Sequence, residues 1–260
     1  MTDRTRTRVE APAKLTLSLR VTGLRDDGYH LIDAEMVSLQ LCDILTITDS
    51  EMSTLSISGD FSTGLSTGAD NLVMRALTLA GRTAHVELRK NIPHGGGLGG
   101  GSTDAAAVLR WAQFNDLRSA ANIGADIPFC MLGGRALVTG IGETIDTLPY
   151  EHHDITLIIP PIHISTPAVY RMWDHMGGPR GESGNDLEPA ALAVEPALAE
   201  WKECITRVCG TSPTLAGSGA TWFVQGHHSS LKQATNDALN NATVVFTSTR
   251  EDAGSIAVEP

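Results

Sequence analysis

Seven consecutive residues, Gly95 to Gly101, contain six glycines and Leu98, and Ser102, Thr103 and Asp104 follow at once. A run this poor in side chains is costly to order, because glycine loses more backbone entropy on folding than any other residue. The compensation is close approach: without Cβ atoms, successive N–H groups can wrap around phosphate oxygens. A helix starting directly after the loop adds the partial positive charge of its N-terminus. Ser102 and Thr103 fall at that N-terminus, where a hydroxyl can cap the helix or meet a magnesium ion held by the phosphates. Lys90 precedes the loop and is a candidate for bordering the nucleotide. The competing reading is a flexible surface loop. It is weakened by the strand expected before the run and the helix expected after it.

Two common phosphate motifs do not account for the run. Gly95-x-Gly97-x-x-Gly100 formally matches a dinucleotide fingerprint, but no βαβ unit with an acidic residue about 20 positions on accompanies it. The P-loop pattern also fails, since no lysine follows the glycines.

The elements that must position this loop read as an α+β chain. Residues 15–21 alternate as a strand, 36–47 as one or two strands, 55–57 and 85–88 as short ones. Asn71 caps a helix ending near Gly81, and the alanine-rich stretch 105–114 is a second helix. Residues 135–139 and 155–159 are further strands, with a domain boundary near 150. The glycine-rich stretch 177–184 reads as a loop, and Asn185 as the cap of a helical region reaching Val208. A strand at 221–224, a helix at 229–240 and a strand at 244–247 complete the chain. The expected organisation is two lobes, 1–150 and 151–260, with a cleft between them.

Bulk properties exclude some functions. The chain has 260 residues, 42% of them hydrophobic, and a formal net charge of −11. That balance argues against nucleic-acid binding, which needs a basic surface. No apolar run approaches the roughly 20 residues needed to span a bilayer, and the N-terminus has no apolar signal core. Four cysteines without a CxxC pair read as reduced thiols, so a cytoplasmic location is expected. His152-His153 and His227-His228 lack partners at ligand spacing, so no protein-held metal is expected.

The stretch Pro93 to Ala106 resembles the phosphate-binding motif of the GHMP kinases. Three further pieces carry the resemblance: Ala11-Pro12-Ala13-Lys14-Leu15-Thr16 followed by Asp27-Gly28-Tyr29-His30; Gly124-Ala125-Asp126-Ile127-Pro128 followed by Leu132-Gly133-Gly134; and Ala216-Gly217-Ser218-Gly219. The Asp-Gly-Tyr-His element is typical of the branch acting on a cytidine-diphosphate-linked alcohol. The resemblance implies an N-terminal lobe like ribosomal protein S5 domain 2 and a ferredoxin-like C-terminal lobe. It implies ATP and Mg²⁺ as cofactors, a small-molecule alcohol as acceptor, and a monomer or homodimer.

By the same resemblance, Asp126 accepts the hydroxyl proton and Lys14 steadies the charge developing on that oxygen. Pro93, Gly95, Gly96, Gly97, Leu98, Gly99, Gly100, Gly101, Ser102 and Thr103 bind ATP. Thr16, Tyr29, His30, Tyr170, Gly217, Ser218 and Gly219 bind the acceptor, with Tyr29 and Tyr170 on opposite faces of a base and His30 at its edge. Alternative readings remain for several of these: Asp126 as a turn residue, Lys14 as a solvated surface cation, the tyrosines as ordinary half-buried aromatics. Two departures stand out. The family carries Asn where this chain has Thr16, and the segment from Ser102 to Asp126 is about a helix shorter than usual. Ser102-Thr103 for Ser-Ser is a milder change. The rival functions are a GHMP-type kinase for another alcohol, such as homoserine, a sugar or a mevalonate-like compound, and a nucleotide-binding relative without catalysis.

Overall fold

The computed structural model describes residues 5–238 and 242–259. Its spine is a pair of long antiparallel strands, β1 (Arg6–Leu24) and β2 (His30–Asp49), joined by a tight turn at Arg25–Tyr29. The two expected strands at 15–21 and 36–47 are the middles of these longer ones. Charged and polar residues on the exposed ends continue the strand pairing beyond the apolar stretches that announce it.

Strand β2 uses its other edge in three successive segments. Residues 44–49 pair with β4 (Ala84–Arg89), 38–39 with β10 (Thr243–Arg250), and 32–37 with β5 (Arg135–Gly140). Beyond these, β3 (Thr54–Ser58) runs parallel to β4, and β6 (Thr144–Thr147) pairs with β5. Strand β10 continues onto β7 (Asp154–Ile159), then β9 (Trp222–Gln225) and β8 (Thr214–Leu215). The chain ends by placing β11 (Ile256–Glu259) beside β1. This edge strand was not read from sequence, because four residues after a turn carry little pattern.

Helices cover the sheet in two groups. Helix α1 (Leu72–Leu79) is capped by Asn71 as expected, its side chain accepting from the Val73 amide. Helix α2 (Gly100–Trp111) begins inside the glycine run, five residues before the alanine-rich stretch. Then come α3 (Leu117–Ala121), a five-residue helix, and α4 (Ile127–Leu132), begun by Pro128 in its first turn. The second group is α5 (Thr166–His175), α6 (Glu188–Val194), α7 (Ala197–Cys209) and α8 (Ser230–Ala238). The single helical region expected from Asn185 is two helices, since Glu195-Pro196 breaks it. Among the described residues no helix is long and apolar enough to cross a membrane.

Two apolar cores result. The larger lies between the sheet and the helices. The smaller joins the lobes: Ala13 and Leu15 of β1, Val37 and Leu39 of β2, Ile155 and Leu157 of β7 and Phe223 of β9 pack with Leu98 and Ala216. The last two come from the two glycine-rich loops, so the small core fixes both loops against the junction of the lobes.

Candidate active site

Leu98 explains how the glycine run is held. Its side chain is buried in the inter-lobe core, a burial that stabilises by ~1.5–3 kcal/mol. Its carbonyl accepts from the Lys14 amide at 3.0 Å. The loop is thus pinned at its centre while the glycines on either side turn. Gly97 and Gly99 both have positive φ, 78° and 68°, a region costly for other residues. A Cβ on Gly97 would lie 2.5 Å from the Ala216 carbonyl oxygen, and one on Gly99 would lie 2.7 Å from Lys14 Cγ. Glycine here serves close packing of loop on loop and loop on lysine as well as phosphate approach. Gly95 and Gly96 press on His163 and Thr221 in the same way.

Gly99 is the N-cap of α2 and supplies no side-chain cap. The first intrahelical bond runs from the Thr103 amide to the Gly99 carbonyl, which leaves the amides of Gly100, Gly101 and Ser102 without helical partners. The donors needed for an anion are therefore free at the helix's positive end. The Ser102 hydroxyl makes no hydrogen bond to the described residues. It lines a cavity of about 1000 Å³ together with Gly97 and Gly99.

The floor of this cavity holds Lys14 and Asp126. Bulges in the β1–β2 register precede Lys14 and follow Thr16. Spaced by two, the residues project from the same face, and Lys14 Nζ is 3.3 Å from Thr16 Oγ1. Asp126 is the N-cap of α4, and its carboxylate, 34% exposed, stands 3.4 Å from Lys14 Nζ. Neither residue is an isolated surface charge. Lys14 is buried among the Gly99 backbone, Thr16 and Asp126, with Gly217 at its far side.

Gly217, Ser218 and Gly219 form the second loop, and Gly217 and Ser218 line the cavity. Buried Asn185 holds the loop, donating to the carbonyls of Leu215 at 2.8 Å and Gly217 at 2.6 Å. Its Oδ1 accepts from the Leu187 amide, so it also caps the chain entering α6. The next residue, Asp186, is fully buried and accepts from Arg20 at 2.6 Å, Arg180, and the amides of Val21 and Gly181. Burial opposes its charge, but these hydrogen bonds prevail and its pKa is lowered. Ser218 shares a 2.7 Å hydrogen bond with Thr166 at the start of α5.

The expected base-reading residues meet in an unexpected way. His30 packs its ring on Tyr170, centroids 4.7 Å apart, and edge-on to Trp173. His30 Nε2 is 2.7 Å from Asp174 Oδ1. Tyr29 is 59% exposed at the rim, with the Arg25 guanidinium over its ring. Burial and the charge of Asp126 push the Tyr170 phenol up to about 12.

Two expected ATP ligands point elsewhere. Lys90 is buried behind α2, its ammonium held by Asp43 and, at 2.7 Å, by Asp104. The two carboxylates leave its charge no path to the cavity. Burial opposes that charge, but the two aspartates raise its pKa. Thr103 is also buried, its hydroxyl donating to the Pro12 carbonyl at 2.7 Å. That bond ties α2 to β1. Pro93 is buried too, and Leu98 reaches the site only through its backbone.

Sequence reasoning missed Asn185 as a loop anchor, Thr166, Asp174 and Arg75. Asp174 carried a usable signal: it lies four residues after Tyr170, on the same helical face. Asn185 carried none, because its partners lie 30 and 32 residues away.

A family model described as the GHMP kinases N terminal domain matches residues 65–134. The chain is 39% identical over 235 residues to a 4-diphosphocytidyl-2-C-methyl-D-erythritol kinase from Paracoccus denitrificans, covering 83% of this chain and 85% of the relative. It is 36% identical to the protein of that name from Ruegeria pomeroyi, covering 82% and 86%. A crystal structure of 4-(cytidine 5'-diphospho)-2C-methyl-D-erythritol kinase aligns with a TM-score of 0.74 at 28% identity, over 94% of this chain and 99% of that one. Homoserine kinase from Cytophaga hutchinsonii shares the fold, with a TM-score of 0.66 at 16% identity, covering 100% and 98%. The two-lobed fold, the uncapped glycine-rich helix start and these likenesses define a GHMP kinase. Within that class, the chain belongs to the 4-diphosphocytidyl-2-C-methyl-D-erythritol kinase family.

Proposed function

We propose that the chain transfers the γ-phosphoryl group of ATP to the 2-hydroxyl of 4-diphosphocytidyl-2-C-methyl-D-erythritol, giving ADP and the 2-phosphate, in the non-mevalonate route to isoprenoid precursors. The observation that carries this reading is the Lys14–Asp126 contact of 3.4 Å on the floor of a cavity that the glycine-rich loop also lines. Phosphoryl transfer demands mostly positioning and charge stabilisation. The free amides of Gly100, Gly101 and Ser102 hold the phosphates. Asp126 orients the hydroxyl and takes its proton, while the Lys14 ammonium stabilises the charge developing on the attacking oxygen.

The site fits a magnesium ion carried by ATP: among the described residues the Ser102 hydroxyl has no partner, and it lies beside the uncapped helix start. Bound there with the nucleotide, Mg²⁺ would neutralise phosphate charge. Tyr29 and the His30–Tyr170 pair form the acceptor's side, next to Gly217 and Ser218. In this reading residues 1–150 chiefly hold the nucleotide and 151–260 close over the acceptor. The four free cysteines support a reducing, cytoplasmic setting. Another alcohol remains the second reading because Thr16, 3.3 Å from Lys14, offers a single hydroxyl where an asparagine amide would both donate and accept.

An ADP-release assay separates these readings. Turnover with the cytidyl acceptor and little with homoserine or mevalonate is expected. Turnover with either of the latter in preference would replace the proposed substrate.

A further inference from the structure

Four Lys and Arg residues line the cavity: Lys14, Arg25, Arg75 and Arg171. Lys14 faces Asp126 and Arg25 is clamped by Asp27. Among the described residues, Arg75 makes no side-chain hydrogen bond, ion pair or ring contact. Arg75 is exposed, so its five donors are hydrated, but at the wall of a cavity they are free to exchange water for an anionic ligand.

The position of Arg75 selects that ligand. It lies on α1, whose opposite face buries Val73, Ala76 and Leu77. Helix α1 packs against α2 and α3, whereas Tyr170 is carried by α5. Ser102 at the start of α2 lines the cavity too, as do Ala121, Asn122 and Ile123. The last three are the end of the five-residue α3 and the turn after it. Through these contacts of α1 with α2 and α3, Arg75 belongs to the same side of the molecule as the segment between Ser102 and Asp126. Arg171, equally unpaired, belongs to the α5 side and the acceptor.

We propose that Arg75 is a second cation for the nucleotide, pairing with the polyphosphate of ATP opposite the amides of α2. This rests on the kinase reading of the site and adds a residue to it. A planar guanidinium matches phosphate oxygens two at a time. It adds the side-chain charge that the glycine-rich loop lacks, now that Lys90 is spent on Asp43 and Asp104.

The test compares Arg75→Gln and Arg75→Lys with the unaltered chain by calorimetric binding of ATP, ADP and adenosine. Losing charged hydrogen bonds should weaken ATP roughly ten- to a hundredfold in Arg75→Gln. ADP should weaken less and adenosine within twofold, while Arg75→Lys recovers part of the ATP loss. Equal losses for ATP and adenosine would make Arg75 a packing residue, and unchanged ATP binding would remove it from the site; either overturns the inference. Melting temperature checks folding, and Arg75→Lys keeps the test valid if Arg75→Gln is unstable. An unaltered chain that binds ATP but leaves the cytidyl acceptor unphosphorylated would sink the substrate reading alone. No ATP binding at all would sink both.

Discussion

The backbone of Gly99 rests on the side-chain stem of Lys14: a Cβ at Gly99 would stand 2.7 Å from Lys14 Cγ. The phosphate loop and the lysine beside the carboxylate are therefore set by one contact. Gly99→Ala must strain a backbone at φ 68°, by ~1–2 kcal/mol, and push the ammonium aside. A displacement near 1 Å is enough to cost ~10²-fold in rate. Steady-state kinetics should give a turnover loss far larger than the fall in denaturant stability accounts for. Normal turnover in Gly99→Ala would mean the contact does not position Lys14.

The buried cluster behind α2 makes a pH prediction. Asp43 accepts from Lys90 and from the amides of Asn91 and Ile92, whereas Asp104 accepts only from Lys90 and its Oδ1 is unpartnered. Burial raises the Asp104 pKa well above the ordinary range; Lys90 works against this and Asp43 adds to it. Above the unfolded carboxyl value of about 4, the folded chain thus keeps a proton that the unfolded chain has released. Stability from this group falls as pH rises from there through the raised pKa. Asp104→Asn should remove that decline, which urea denaturation between pH 5 and 8 measures. An unchanged pH slope would mean Asp104 titrates normally.

Removing the cation from the same cluster should do the opposite. Lys90→Met leaves two buried carboxylates without their partner and should destabilise by ~3–5 kcal/mol. Nucleotide affinity, in whatever fraction stays folded, should change little because Lys90 does not reach the cavity. A large selective loss of ATP binding would restore Lys90 to the nucleotide site.

His30 is fixed between Asp174 and the Tyr170 ring. Asp174→Asn removes a charged partner while keeping its shape, so KM for the cytidyl acceptor should rise about five- to tenfold. The KM for ATP should stay constant. Equal effects on both substrates would place His30 outside the acceptor site.

Much of this site was legible in the sequence for a physical reason: backbone chemistry leaves local traces. Six glycines in seven residues announce a loop that must approach something closely, and Asn71 announces a helix start. What the side chains of that loop region do was not legible. Lys90 looks like a phosphate ligand until Asp43, 47 residues away, takes its charge. Leu98 looks like part of the loop's business end, yet it is the loop's anchor in a core drawn from β1, β2, β7 and β9. Asn185 follows a glycine-rich stretch and reads as a cap, while its long-range bonds fasten the second loop and those of its neighbour Asp186 fasten β1. The starting point of α2 was misjudged because glycine is a poor helix former, and the uncapped start is where the anion-binding donors lie.

Single-turnover phosphoryl transfer by Asp126→Ala tests the central claim most directly. With saturating ATP and the cytidyl acceptor, rapid-quench measurement should give a rate lower by ~10²-fold or more, with ATP affinity within about threefold of the unaltered chain. A rate close to that of the unaltered chain would contradict a proton-accepting role for the carboxylate 3.4 Å from Lys14.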